Sequence, residues 1–379
     1  MTSGFIRRSL VIAACGCVAL FAGAWSVPPA VRASKPAAPP PIKHVFLILL
    51  ENESFATTFG PASLAPYFAD TLVKEGALLS EYYGVGHSSL DNYIAIISGL
   101  APTPNSQGDC GLYLDFHETG MAPGGQPIGT GCVYPAHVPT IANQLAAKGL
   151  VWKAYMEDMG KEPSRESATC GHAVIGTSDR TEHATRTDQY AAKHNPFVYF
   201  HAIIDSASCQ TNVIALPALA TDLRSAGTTP SYSFIAPSLC HDGHDKPCRN
   251  GEPGGLVSAD RFLQEWVPRI AGSPAYRDGG LIIITFDEAM SADKTACCNE
   301  PSGPNTTSPG AGGPGGGPIG AVLLSPYIKA GTVSDTPYNH YSMLKSVEEI
   351  FGLPFLGYAG ERGLVAFGAD VYTAAPKGR

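Results

Sequence analysis

His44-Val45-Phe46-Leu47-Ile48-Leu49-Leu50 and Leu281-Ile282-Ile283-Ile284-Thr285-Phe286 are the two stretches that decide the fold. Each is a short, unbroken apolar run, the pattern of a strand buried on both faces of a largely parallel sheet. Each is followed at once by oxygen-bearing side chains, Glu51-Asn52 after the first and Asp287-Glu288 after the second. Ligands of open α/β sheets bind beyond the carboxyl ends of the strands. Carboxylates are costly to bury unpaired, so three carboxylates and an amide converging on one crevice point to a bound cation.

Outward from these runs the chain alternates. Helices are predicted over 66–75, 90–98, 140–148, 217–225, 258–270 and 341–351, and further strands over 150–155, 231–236 and 320–324. This alternation predicts an α/β fold, a three-layer αβα sandwich with a mainly parallel central sheet. A single domain is expected over 43–379, interrupted by an ordered loop insertion near 101–138 and a long, flexible Gly- and Pro-rich loop near 299–318. No internal repeat is visible.

The chain has 379 residues, 44% hydrophobic and 15% charged, with a net charge of −8. It carries no basic stripe, and its overall field repels phosphate backbones, so no nucleic-acid partner is expected. Residues 1–33 read as an export signal: Arg7-Arg8, an apolar stretch from Ser9 to Ala24, and a small-residue cleavage site at Ala22-Gly23-Ala24 or Val31-Arg32-Ala33. Arg7-Arg8-Ser9-Leu10-Val11 faintly resembles a signal for export of folded proteins, and Cys15 falls too early in the apolar stretch for a lipidation site. That stretch is too short for a stable membrane span. Residues 34–42 form a stiff linker. The expected location is periplasmic or extracellular.

Eight cysteines follow the signal, and an even number in an exported chain implies up to four disulfides. Cys240 and Cys248 close a short loop and are the first pairing expected. Adjacent Cys297 and Cys298 are expected to join different partners, because a vicinal bridge strains the backbone.

Three further clusters carry potential chemistry. In Gly86-His87-Ser88-Ser89-Leu90-Asp91-Asn92-Tyr93 a serine stands at a helix start, where free N–H groups favour an anion; the plainer reading is an N-cap. His241-Asp242-Gly243-His244-Asp245 is dense enough to ligate a metal or contact a phosphoryl group, or it is a solvated turn. His340, in Tyr338-Asn339-His340-Tyr341-Ser342, reads alone as a capping or packing residue. His137, His172, His183, His194 and His201 lie in no motif and are given no role.

Read in order, Glu51-Asn52-Glu53-Ser54-Phe55, Gly86 to Tyr93, Asp242 to Asp245, Thr285-Phe286-Asp287-Glu288 and Ser325-Pro326-Tyr327 through His340 resemble the phosphoesterase family. That family includes bacterial acid phosphatases and phospholipases C, and belongs to the alkaline-phosphatase-like superfamily. The resemblance spans about residues 43–353 and implies that superfamily's fold. It implies Glu51, Asn52, Asp287 and Glu288 as metal ligands, with Ser89 as nucleophile and further ligand. It also implies His87, His244 and His340 as catalytic groups that contact phosphate or complete a second metal position. Asn92 matches the family pattern, whereas Asp91 stands where a Pro is usual and Glu53 where a basic or polar residue is common.

The expected cofactor is a divalent cation, with Ca²⁺ or Mg²⁺ favoured by an all-oxygen ligand set and the number of ions left open. The expected activity is metal-dependent hydrolysis of phosphate monoesters through a phosphoserine on Ser89, with a small phosphorylated substrate. A phospholipase C acting on a phospholipid head group is the near alternative. A secreted binding protein using the cation only for stability is the second. A serine acyl hydrolase is weaker, because no Gly-x-Ser-x-Gly elbow is present.

Overall fold

The computed structural model describes residues 38–290, 292–299, 301–310 and 312–373. The expected signal at 1–33 and the start of the linker lie outside the described residues. Strands β1 (His44–Leu50), β2 (Ala77–Leu79), β3 (Trp152–Met156), β4 (Val213–Ala215), β5 (Tyr232–Ala236), β6 (Gly280–Phe286), β7 (Ala321–Leu324) and β8 (Thr332–Ser334) build one sheet. It is eight-stranded, in the order β8-β2-β7-β6-β1-β5-β3-β4. Every pairing is parallel except those of β7 with β6 and β2. All residues of β1 and β6 are buried, as their unbroken apolar runs require.

Side-chain alternation places helices on both faces. Leu47 pairs with Phe234 of β5, and Leu50, three residues on and pointing to the opposite face, pairs with Phe286 of β6. Phe234 packs on Tyr93 of helix α1 (Ser89–Ser98), with ring centroids 6.1 Å apart. Helices α2 (Ile141–Ala147) and α4 (His340–Phe351) pack against α1. Phe286 packs instead on Phe68, with centroids also 6.1 Å apart, from the helical stretch Tyr67–Leu72 that continues into Val73–Glu75. That stretch lies against helix α3 (Gly255–Ala271), whose Asp260 accepts from the Phe68 N–H at 2.9 Å. The result is the αβα sandwich.

Local chemistry sets the helix ends. Thr140 and Asn143 form a capping box at α2, and Asn339 caps α4 by accepting from the Ser342 N–H. Gly99 ends α1 with φ 69°, and a Cβ there would lie 2.3 Å from the Leu356 carbonyl oxygen.

The two interruptions are more structured than expected. Residues 101–138 contain an antiparallel hairpin, His117–Ala122 with Gln126–Thr130, and are tied by a Cys110–Cys132 disulfide. The Gly- and Pro-rich segment holds no helix or strand among its described residues, yet its glycine run is not a free loop. Gly316 accepts from the Ala289 N–H at 2.7 Å and donates to the Gly84 carbonyl at 3.0 Å, while Gly317 accepts from the Gly84 N–H at 3.0 Å. The run thus ties the turn before α1 to the chain after β6, at a backbone separation only glycines permit.

The disulfides are Cys110–Cys132, Cys170–Cys209, Cys240–Cys248 and Cys297–Cys298. The last corrects the expectation that the adjacent pair joins separate partners. The other six cysteines of the folded part are already paired, and a positive φ of 68° at Cys298 turns the chain so that the neighbours meet. A Cβ on Gly316 would sit 2.1 Å from the Gly86 carbonyl oxygen, whereas one on Gly108 meets nothing within 4 Å. Gly316→Ala is therefore expected to lower the unfolding free energy by about 1–3 kcal/mol in urea titrations. Gly108→Ala should stay within about 0.5 kcal/mol of wild type.

Candidate active site

The register of β1 on β6 pairs Leu50 with Phe286, which makes Glu51 and Asp287 the first residues past two adjacent parallel strands. Backbone bonds continue beyond the strands: the Asp287 N–H donates to the Leu50 carbonyl at 2.9 Å, and the Glu51 N–H to the Asp242 carbonyl at 2.8 Å. Asp242 thereby joins from the loop after β5, the neighbour of β1 on its other side. Asn52 turns the chain with φ 58°, a conformation asparagine tolerates. Its N–H and that of Glu288 both donate to Asp287 Oδ1, at 3.0 and 2.7 Å.

Ser88, not Ser89, occupies the cap position of α1, and its side chain makes no capping bond. The N-terminal N–H of Leu90 is instead taken by Asp109 Oδ1 at 3.0 Å. Ser89 is therefore available, and its Oγ donates to Glu51 Oε1 at 2.7 Å. Asn92 fixes the turn that carries it. Its Oδ1 accepts from the Val85 and Gly86 N–H groups at 2.9 and 3.0 Å. Its Nδ2 donates to the Gly86 and Ser88 carbonyls and, at 3.2 Å, to Glu288 Oε2. Asp91, in the usual proline position, is buried, and a Cβ on Gly86 would strike its carboxylate at 2.1 Å.

Basic side chains gather around Glu51. Lys193 Nζ lies 3.4 Å from Glu51 Oε1 and 3.2 Å from Asp109 Oδ2. His194 places Nε2 3.3 Å from Glu51 Oε1 and Nδ1 3.7 Å from Asp242 Oδ2, its ring stacked on Tyr93. His244 Nδ1, at the open side, is 3.3 Å from Glu51 Oε2. Burial alone would raise the Glu51 pKa, but Lys193 and His194 outweigh it and hold the carboxyl well below its ordinary value. Burial works against the Lys193 charge too, yet Glu51 and Asp109 keep its pKa above the ordinary lysine value. The other acids have no such company. Burial first, and then neighbouring carboxylates, push Asp91, Asp242, Asp287 and Glu288 well above the usual carboxylate range.

This donor set fits a cation. Asp242 Oδ2, Asp287 Oδ2 and both His194 ring nitrogens are buried without a hydrogen bond among the described residues. Donor atoms of Glu51, His194 and Asp242 all lie within 4.8 Å of one another. Orphaned buried acceptors of this kind are paired or coordinated in stable proteins.

The remaining sequence candidates are placed differently. His87 is buried, with Nε2 3.0 Å from the Asp293 carbonyl and Nδ1 3.4 Å from Glu288 Oε1. His340 is fully buried between the Tyr82 hydroxyl (3.1 Å, Nδ1) and the Asp287 carbonyl (2.6 Å, Nε2), and burial lowers its pKa to about 4. Both its nitrogens are engaged, so it braces the Asp287 backbone and does not reach the space beside Ser89 as a free group. His194, to which sequence gave no role, stands at the centre. The available signal was Lys193-His194-Asn195 within the otherwise apolar 190–200 segment, since a lysine is rarely buried without a partner.

Residues 63–354 match the phosphoesterase family. The chain belongs to the phosphoesterase family. The match begins just after the Glu51-Asn52 pair. The chain is 27% identical over 310 residues to the phosphate-repressible acid phosphatase of Penicillium chrysogenum and 25% over 318 residues to a probable acid phosphatase of Kluyveromyces lactis. Those alignments cover 82% and 83% of the chain but 59% of each fungal protein, so the chain spans about three-fifths of the length of these relatives. It is also 24% identical over 320 residues to the phosphatidylinositol-3-phosphatase of Mycobacterium tuberculosis, covering 84% of the chain and 80% of that protein. Among solved structures, a protein of the alkaline phosphatase superfamily from Vibrio parahaemolyticus aligns with a TM-score of 0.46 and 13% identity, over 82% of this chain and 67% of that one.

The raised acids predict a pH effect. A carboxyl whose folded pKa exceeds its unfolded value contributes stability that is lost as pH rises through the folded value. Above about pH 6.5 the buried His87 and His340, whose pKa values are lowered, no longer titrate, and the groups that contribute are the raised acids together with His244, His201 and His241, all of them raised. Chelator-treated protein is expected to lose thermal stability from pH 6.5 to 8.5, and millimolar Ca²⁺ to abolish the part that comes from the Glu51 cluster, leaving the part from Glu166, Glu348 and His241. Scanning calorimetry with and without EDTA measures both.

Proposed function

We propose that the chain is an exported, metal-dependent phosphoesterase that hydrolyses phosphate monoesters through a phosphoserine on Ser89. The observation that carries this reading is the Ser89 hydroxyl, donating at 2.7 Å to Glu51 within a cluster of buried carboxylates in which Asp242 Oδ2 and Asp287 Oδ2 have no hydrogen bond. A site that held a cation for stability alone needs no hydroxyl there. Family membership and relatives named acid phosphatase support the same chemistry. Export is supported by the pairing of every cysteine among the described residues. No helix of the described residues is long and apolar enough to cross a membrane.

Glu51, Asn52, Ser89, Asp287 and Glu288, joined by Asp242 and His194, would hold the cation. A divalent ion bound there supplies Lewis acidity that lowers the serine pKa and neutralises phosphoryl charge. The oxygen-rich set favours Ca²⁺ or Mg²⁺, while the His194 imidazole adds Mn²⁺ and Zn²⁺ as competitors.

The chain's own groups do the rest. The Ser89 proton passes toward Glu51 Oε1, the acceptor it already faces, as Oγ attacks phosphorus and the bond to the leaving oxygen breaks. Lys193 places a fixed positive charge beside the developing anion. His244 lies half exposed at the mouth, with its pKa raised chiefly by the hydrogen bond to Glu51, and donates a proton to the leaving alkoxide. Its neutral ring then takes a proton from the water that attacks phosphoserine, and Ser89 departs, recovering its proton from Glu51. Asn92 and His340 position the Ser89 turn and the Asp287 backbone.

Ser89→Ala is expected to lower kcat on p-nitrophenyl phosphate by at least about a thousandfold while the protein stays folded. EDTA should abolish wild-type activity, and acid quenching should trap phosphate on Ser89. Full activity of the variant, or chelator resistance, contradicts the mechanism. Phosphocholine release from phosphatidylcholine without p-nitrophenyl phosphate hydrolysis marks a phospholipase C.

A further inference from the structure

Beside the proposed phosphate position lies a cavity of about 260 Å³ that shares two walls with it, Lys193 and His244. Its outer lining includes Glu182, His183, Asp245 and Arg249. Leu239 is the one sizeable apolar side chain in the wall, so the cavity is shaped for a polar group and not for an acyl chain.

Among the cationic side chains of this wall, Arg249 alone lacks a partner among the described residues. Asp245 Oδ1 lies 3.9 Å from His244 Nδ1, while burial and the nearby Asp109 and Asp179 push the Glu182 pKa up, which reduces its charge in this wall. Lys193 itself is held by Glu51 and Asp109. Arg249 makes no hydrogen bond or ion pair with any described residue and is exposed to the cavity. Its backbone is nevertheless fixed. The Cys240–Cys248 disulfide ties the loop immediately before it, and the Gly251 N–H donates to the Cys248 carbonyl at 3.0 Å. A guanidinium presented on a pinned turn, with no internal acceptor, has its fork of donors available for a planar anion.

We propose that this cavity receives the leaving group of the substrate, and that Arg249 binds a second anionic group carried on it, a carboxylate or a further phosphate. The inference rests on the phosphoesterase reading of Ser89 and adds the substrate class: a small, polar phosphomonoester with an anion at its far end. Arg249 is a specificity residue in this account, distant from the reacting atoms. His183, given no role by sequence, contributes a ring to the same wall.

The test compares phenyl phosphate with 4-carboxyphenyl phosphate, which differ by one anionic group on the leaving side. Arg249→Gln is expected to raise KM for the carboxylated ester about fivefold, the upper end for a single exposed ion pair, with kcat unchanged. Arg249→Glu should raise it by about tenfold or more through repulsion, and Arg249→Lys should recover part of the loss. None of the three variants should change phenyl phosphate kinetics by more than about twofold. Equal effects on both esters, or no effect on either, would overturn the inference while leaving the Ser89 mechanism standing. Inactivity of wild-type protein on both esters would remove both. Phosphatidylinositol 3-phosphate in phosphatidylcholine vesicles is assayed in parallel. Dependence on Arg249 there extends the same recognition to lipid head groups, whereas independence confines it to soluble esters.

Discussion

The hydrogen bond from Ser89 to Glu51, made inside a ring of buried charges, is the interaction on which the rest of the site depends. Lys193 and His194 outweigh burial and hold the Glu51 pKa well below its ordinary value. Asp91, Asp242, Asp287 and Glu288 are crowded by burial and by one another. An interior of this kind is electrostatically unfinished, and a divalent cation is the simplest charge that completes it. The same tension that costs stability without metal would supply affinity with it, and would place the serine hydroxyl in the field of that metal.

The fold delivers these groups by stitching loops together beyond the strand ends. Backbone bonds tie Glu51 to Asp242 and Asp287 to Leu50, so adjacent loops start in fixed register. Asn92 links the serine turn to Glu288, and Gly316 links the same turn to Ala289. His340, held by Tyr82 and the Asp287 carbonyl, braces the far side. The groups of the candidate site thus hang from short, bonded connections, which keep their relative placement fixed.

What was legible in the sequence follows from the range of each signal. The apolar runs of β1 and β6, the turn into α1 and the acidic pairs are local patterns, and the sheet brought Glu51, Ser89, Asp287 and Glu288 to one end. Lys193 and His194 were not legible, because their part depends on burial against Tyr93 and Glu51, far away in the chain. His340 illustrates the reverse: a histidine in a family motif whose two nitrogens are already engaged. The glycine run at 315–317 looked like slack and acts as a brace, since only the partner backbone at Gly84 and Gly86 reveals why no Cβ fits. The vicinal Cys297–Cys298 pair escaped for a related reason, as its turn is set by backbone conformation that composition does not report.

The most direct test of the central claim is anomalous diffraction from crystals of the chelator-treated protein soaked in Mn²⁺, a stand-in for the hard cations. The account predicts a peak at coordination distance, about 2.1–2.5 Å, from carboxylate oxygens of Glu51 and Asp287 and from Ser89 Oγ. A peak elsewhere, or none at saturating Mn²⁺, would contradict it.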